Sequence, residues 1–185
     1  KLYKQLRHAG RKYRSRNCTG RIKIRNRKGI ENRPCIVEEK KRIGDWEGDT
    51  IIGKGHKSSI LTIVDRKSKY LLIRKLSNHS SDEMNEVILK TFKNGIEFFK
   101  TLTVDNGLEF AGHEEISRRL MGQVYFATPY SPWERGLNEN TNGLIRQFFP
   151  KGTDFREVTE DELLRAQQLI NNRPRKTLGY KTPLE

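Results

Sequence analysis

Three short runs dominated by Ile, Leu, Val and Thr stand close together in the first half of the chain: IGDWEGDTIIG, SSILTIVDRK and KYLLIRKL, parted by GKGHK and DRKSK. Runs of this length, bounded by turn-forming residues, predict strands joined as hairpins. The period then changes. In HSSDEMNEVILKTFKNG, Met84, Val87, Ile88, Thr91 and Phe92 recur at helical spacing, with Ser80 and Glu83 as a capping box ahead of them and Gly95 stopping the run. KTLTVDNG predicts a fourth strand, His113 to Met121 a short helix, and QVYFATP a fifth strand. After the breaker PYSP a helix is expected from about Glu134 to Phe149, ended by Pro150. Thr159 with Glu162 opens a last helix running to about Asn172. The order βββαβαβαα implies a mixed sheet, an antiparallel meander followed by strands alternating with helices, with helices packed against it.

Residues 1–42 show no sustained apolar period and end in the stretch NRPCIVEEKK. They read as a basic linker or arm, in part disordered or ordered by DNA, with a short helix at its start. Residues 43–185 read as the folded unit. The charge follows the same division. The chain carries a net charge of +14, and residues 1–42 hold 16 Lys and Arg against 3 Glu, whereas the remainder is nearly neutral. Such a block implies a polyanionic partner, and nucleic acid suits it best. No long apolar run and no basic amphipathic helix with a wide apolar face point to a membrane. Cys18 and Cys35 have neither C-x-x-C nor paired-His spacing, so they read as reduced thiols rather than a zinc site.

Three acids sit on structural boundaries. Asp49 lies in the first strand, Asp105 ends the fourth just before Asn106-Gly107, and Glu139 sits in the helix after TPYSPWERG. Carboxylates from strand ends and a helix face can converge over a sheet edge and hold hard cations such as magnesium, which prefer oxygen ligands. Two such ions clamp the attacking and leaving oxygens of an in-line phosphodiester displacement, and no nucleophilic side chain is then needed. Glu139, Asn142, Gly143 and Arg146 share one helical face, opposite Leu137, Thr141, Leu144, Ile145 and Phe148. Each acid has a plainer reading. Asp105 could be turn chemistry, Asp49 shares its strand face with Asp45 and Glu47, and Glu139 with Arg146 could be an exposed pair. Asp65 reads as a hairpin residue.

The motifs IGDWEGDTIIG, LTVDNGLEFAGH, YFATPYSPWERGLNENTNGLIRQFFPKGTDF and NNRPRKTLGYKTPLE carry a resemblance that covers essentially the whole chain. On them the sequence closely resembles the insertion sequence thirty family of bacterial DDE transposases. The resemblance implies an RNase H-like, retroviral-integrase-like core with a mixed five-stranded sheet. Asp49, Asp105 and Glu139 match the family's catalytic, metal-holding acids, and Arg146 matches the basic position after the last acid. It further implies two Mg2+ or Mn2+ ions, no small-molecule cofactor, cleavage at mobile-element ends and joining of 3′ ends to target DNA. Dimers or larger assemblies on DNA, in a bacterial cytoplasm near the nucleoid, belong to the same expectation. A helix-turn-helix region that the family carries ahead of its core has no counterpart here, so the chain is expected to be part of something longer. Leu137 departs from the small polar residue expected at its place.

Lys54, Tyr130, Trp133, Arg135, Asn142 and Arg146 are the candidate DNA contacts: cations and an amide for phosphates, and two aromatics able to stack on an unpaired base. Trp133 could equally pack on the sheet, and Lys54 with His56 could be an ordinary solvated loop. His79 and His113 lack ligand spacing and read as structural. The alternatives to an active transposase are a truncated DNA-binding remnant without chemistry and an RNase H-like nuclease.

Overall fold

β1 (Asp45–Ile52), β2 (Ser59–Asp65) and β3 (Leu71–Leu76) pair antiparallel as successive hairpins, while β4 (Thr101–Val104) and β5 (Gln123–Phe126) add in parallel on the other side of β1. The sheet order is β3-β2-β1-β4-β5, the expected mixed five-stranded sheet. The computed structural model describes residues 24–78, 80–129 and 131–185. The helix expected at the start of the chain, Cys18, His79 and Tyr130 lie outside the described residues.

The helices are α1 (Cys35–Glu38), α2 (Ser81–Phe92), α3 (His113–Leu120), α4 (Gly136–Ile145) and α5 (Glu160–Asn171). Because side chains alternate along a strand, β1 sends Trp46 to one face and Asp45, Glu47, Asp49 and Ile51 to the other. On the first face Trp46, Leu61, Ile63, Leu102, Val124 and Phe126 bury against Met84, Ile88 and Phe92 of α2 and Ile116 of α3. On the second, Ile51, Ile60, Val64, Leu71 and Ile73 bury against Ile145 of α4 and Leu163, Ala166 and Ile170 of α5. The second face is apolar only in part. Its β1–β4 half carries Asp45, Glu47, Asp49, Thr101 and Thr103 instead, and this polar strip positions the site.

β3 is an edge strand, and α5 satisfies the outward backbone groups of Leu71 and the N–H of Ile73. Asn171 accepts from Leu71 N–H at 2.8 Å and donates to Leu71 C=O at 2.9 Å, while Gln167 accepts from Ile73 N–H at 2.8 Å. Edge groups paired by side chains cannot template another strand. An Asn171→Leu protein leaves a buried donor and a buried acceptor unmet, and is expected to lose about 2–4 kcal/mol of stability in urea unfolding. A loss below ~0.5 kcal/mol would show that these groups find other partners.

Three local expectations are corrected. Ser80 caps α2 by accepting from Glu83 N–H, but the Glu83 carboxylate turns to the backbone N–H groups of Ser77 and Asn78 (2.7 and 2.6 Å), so the reciprocal capping box forms only at Thr159 and Glu162. The helix expected over 134–149 is shorter. A 3-10 turn (Pro132–Arg135) precedes it, with Arg135 off helical geometry at φ −127, ψ 34, and α4 ends at Ile145. Pro150 disfavours helix at the residue before it, and the Arg146 guanidinium meets the Phe149 and Pro150 carbonyls, turning Phe149 onto buried Phe155.

Third, the later part of the basic stretch is packed rather than loose. Ile24 lies against the first core, Gly29 bridges to Phe126, and Val37 and Arg33 are buried. Arg33 reaches the Thr103 hydroxyl at 2.8 Å and pairs with Glu38, which also meets Arg66 at 2.9 Å. Arg66 in turn pairs with Glu47 at 2.9 Å. Burial and the neighbouring Arg66 lower Arg33 to about 10, and burial pushes Glu47 up against the opposing pull of Arg66. This chain of charges ties residues 33–38 to β1 and β4.

Candidate active site

The parallel register of β1 and β4 pairs Asp45 with Thr101 and Glu47 with Thr103. Asp49 lies two residues past Glu47 on β1, and Asp105 two residues past Thr103, immediately after the end of β4. The three acids that share the β1 face are distinguished by their partners. Asp45 is fully buried with its carboxylate held by Arg42 (2.7 and 2.9 Å) and the Thr101 hydroxyl (2.7 Å). Glu47 is buried with Arg66. Asp49 alone is partly open and stands beside Asp105. Asp65 is the hairpin residue expected, accepting from Lys67 N–H, Ser68 N–H and Gly44 N–H.

Arg135 joins the two aspartates. Its guanidinium lies 3.1 Å from Asp49 Oδ1 and 3.8 Å from Asp105 Oδ2, and it also donates to Gly48 C=O at 3.2 Å. Each acid has a second anchor. The Asn142 amide donates to Asp49 Oδ2 at 2.7 Å, and Gly107 N–H donates to Asp105 Oδ1 at 2.9 Å. The Thr62 hydroxyl lies 3.2 Å from Asp49 C=O and 3.4 Å from Asn142 Oδ1, linking β2 to the same cluster.

α4 lies along β1 by a polar stripe. Asn138 donates to Gly48 C=O at 3.3 Å, Asn142 to Asp49, and Arg146 to Ile52 C=O at 3.1 Å. These residues recur four apart, one face of the helix. The expected grouping of Glu139 with Asn142 and Arg146 is therefore split. Asn142 and Arg146 dock on β1, whereas Glu139 is exposed and makes no hydrogen bond or ion pair among the described residues. Among the described residues no group of three or more His, Cys, Asp or Glu side chains stands ready for a metal ion. The fit to a divalent cation is thus carried by Asp49 and Asp105: hard oxygen donors, from adjacent strands, already bridged by one cationic group.

The remaining candidates divide. Lys54 is exposed at the β1–β2 hairpin tip, where its backbone N–H donates to Thr153 C=O at 2.9 Å. Trp133 is 75% exposed rather than packed on the sheet. It borders a cleft of about 570 Å3 whose walls include Arg33, Glu38, Glu47, Arg66 and Leu137. That lining mixes both signs of charge, so the cleft is no phosphate pocket. His113 is buried, 3.0 Å from Arg25 C=O and edge-on to Phe126, a structural residue as read. Cys35 is exposed and free. Asn138, Thr62 and the Arg135 bridge were missed; the run RGLNEN holds the first and last, but a polar residue gives no sign in sequence that it will be buried.

Residues 39–132, about half of the chain, match the Integrase core domain family. The chain belongs to that family. This integrase core is 50% identical over 187 residues to the transposase for insertion sequence element IS4351 of Bacteroides fragilis, covering 100% of this chain and 57% of that protein. It is 44% identical over 181 residues to transposase InsI for insertion sequence element IS30C of Escherichia coli (strain K12), covering 97% and 47%. The insertion sequence thirty resemblance read from the motifs holds, and this integrase core spans about half the length of these curated relatives. Among solved structures it superposes on the simian T-cell lymphotropic virus intasome in complex with PP2A regulatory subunit B56 gamma with a TM-score of 0.62 at 22% identity, over 76% of this chain and 52% of that one. The catalytic core domain of BIV integrase gives 0.59 at 21% identity, over 75% and 90%. The fold is the RNase H-like fold of retroviral integrase cores. Among the described residues no helix is long and apolar enough to cross a membrane.

Proposed function

We propose that this chain is the catalytic core of a DNA transposase, joining a DNA 3′ end to a target strand by metal-dependent phosphoryl transfer. The observation that carries the reading is the meeting of Asp49 and Asp105, from adjacent parallel strands, on a single cationic group. Relatives named as transposases support it. Asp49 and Asp105 would hold the divalent ions, Mg2+ or Mn2+. Glu139 is the third ligand, placed on the helical turn between Arg135 and Asn142, both of which touch Asp49. Ions held there would supply Lewis-acid activation of the attacking hydroxyl and charge stabilisation at the leaving oxygen.

The protein's own groups orient the acids. Asn142 fixes one oxygen of Asp49, Gly107 N–H fixes one oxygen of Asp105, and Asn138 ties α4 to the carbonyl just before Asp49. In joining, the 3′-hydroxyl oxygen forms a bond to the target phosphorus while the bond from phosphorus to the target 3′ oxygen breaks. The hydroxyl proton passes to solvent, and the freed target 3′ oxygen takes one up. The number of phosphodiesters is conserved, so no outside energy source is needed. Element ends and target DNA are the substrates, and a homodimer or larger assembly on DNA is the working form. Lys54 holds flanking phosphates, and Trp133 stacks on an unpaired base near the reacting end.

The test is incubation with a pre-cleaved duplex bearing a free 3′-hydroxyl, a plasmid target and Mg2+ or Mn2+. Joined products that vanish with a chelator are expected; salt-sensitive binding with no metal-dependent product, in this chain and in a full-length relative, would count for a DNA-binding protein without chemistry. Trp133→Ala is expected to weaken binding to a duplex with a frayed end by roughly tenfold while leaving blunt duplex binding unchanged. Equal losses on both substrates, read by fluorescence anisotropy, would remove the stacking role.

A further inference from the structure

Arg135 occupies the place between Asp49 and Asp105 that a shared cation needs. We propose that Arg135 is an internal counter-cation: it neutralises the aspartate pair when no metal is bound, must be displaced for metal to enter, and thereby sets the metal affinity of the site. The inference rests on the proposed assignment of Asp49 and Asp105 as metal ligands and goes beyond it.

Three observations carry it. The first is geometric, since the guanidinium lies 3.1 Å from Asp49 Oδ1 and 3.8 Å from Asp105 Oδ2 and competes for these oxygens with any ion coordinated by both carboxylates. The second is that every group Arg135 touches keeps another hydrogen bond when it leaves, so its departure exposes only the two carboxylate charges that a metal ion would meet. Gly48 C=O keeps its bond from Asn138, Asp49 keeps Asn142, and Asp105 keeps Gly107 N–H. Removing Asn142 or Asn138 instead would unpin α4 from β1. The third is its place in the chain. Arg135 sits at the junction of the 3-10 turn and α4, outside helical geometry. The next residue is Gly136, where an added Cβ would meet nothing within 4 Å.

Once released, the guanidinium is a two-pronged donor for a phosphate, the substrate group that arrives with the metal. Arg135 therefore acts through the aspartates as a positioning residue with two settings: on the carboxylates before loading, and on the DNA backbone after it.

The experiment measures Mn2+ binding to the DNA-free protein by calorimetry and by electron paramagnetic resonance of free Mn2+. The proteins are wild type, Arg135→Gln, Arg135→Lys, the surface variant Arg118→Gln and Asp49→Asn. Arg135→Gln is expected to bind Mn2+ roughly tenfold more tightly. Its Tm should be lower than wild type without metal, with a larger rise on adding Mn2+. Arg135→Lys, which keeps the charge but not the fork, should fall between the two, and Arg118→Gln should match wild type. A residue needed only for folding would lower metal affinity when removed, so the direction of the change decides. Mn2+ binding by Arg135→Gln no tighter than wild type, with Asp49→Asn much weaker, would overturn the counter-cation role and leave the metal site standing. No difference between Asp49→Asn and any other protein would overturn both. Should Arg135→Gln fail to fold, Arg135→Lys decides alone: a two- to threefold gain supports the proposal and none defeats it.

Discussion

Asp49→Asn is expected to lower metal-dependent strand joining by roughly a thousandfold or more, because metal stabilisation of a phosphoryl-transfer transition state is worth several kcal/mol and each 1.36 kcal/mol is tenfold. The substitution keeps the shape of the side chain but leaves one oxygen for two donors, Asn142 and Arg135, so stability should fall by about 1 kcal/mol while DNA affinity changes by less than about twofold. Asp105→Asn should behave alike, since both carboxylates face the same cationic group. Glu139→Gln is the sharper probe. Glu139 is exposed and touches neither aspartate in the structure, so its assignment rests on its place in α4 and on the family motif. Joining by Glu139→Gln that falls as far as in the aspartate variants would establish it as the third ligand. Joining retained within about threefold would remove it and leave a two-acid site.

The largest stability effect is expected at Arg66. Its guanidinium is 3% exposed and meets Glu47, 2% exposed, at 2.9 Å. Removing one partner of a buried pair strands the other, which typically costs about 3–5 kcal/mol, so Arg66→Met should be destabilised by that amount at neutral pH. The sign of the pH dependence follows from Glu47. Burial raises its folded pKa above the ordinary 4.5, and Arg66 is the leading charge holding it down. A carboxyl with a raised folded pKa contributes stability that is fully present below the unfolded value and is lost as pH rises through the folded one. In Arg66→Met the rise is greater, so the deficit relative to wild type should be largest near pH 7.5 and shrink as pH falls toward 4.5. Urea unfolding of both proteins at matched pH values gives the comparison. A deficit constant with pH would mean that lost packing, not a stranded carboxylate, is responsible. The double variant Glu47→Met with Arg66→Met should recover much of the loss, because two apolar side chains replace the pair without leaving a charge behind.

The strands were legible because β-branched runs bounded by Gly, Asp and Ser are local signals, and DWEGDTII, SILTIVD and LLIRKL became β1, β2 and β3. Which acid of β1 faces the site was not legible from periodicity, which puts Asp45, Glu47 and Asp49 on one side without preference; only the motif resemblance singled out Asp49. The choice is made at long range, by Arg42 and Thr101 closing over Asp45, by Arg66 meeting Glu47, and by Arg135 joining Asp49 to Asp105. The same limit applies to residues 33–38. Nothing in their spacing marks Arg33 or Val37 as buried, because the partners Thr103 and Arg66 come from β4 and from beyond β2. The phase of α4 misled for a different reason. Hydrophobic periodicity treats Asn138 as a surface residue, yet it is 1% exposed and bonded to β1, so the helix is turned from the orientation its apolar residues alone suggest.

That seam between α4 and β1 also determines where the chain can change length. Asn138, Asn142 and Arg146 are stitched to Gly48, Asp49 and Ile52, so both the rotation of the helix and its position along the strand are set. One residue added or removed between Asn138 and Arg146 would turn everything after it by about 100° and slide it by about 1.5 Å, breaking the seam on one side of the change. The β1–β2 hairpin is held to the rest of the fold at Lys54, whose N–H meets Thr153 C=O, but the turn at Gly55 itself is open. Evolutionary drift in this chain should therefore accumulate as insertions at the hairpin tip and only as substitutions within α4, so that the helix behaves as a ruler whose length is inherited intact even where its letters vary.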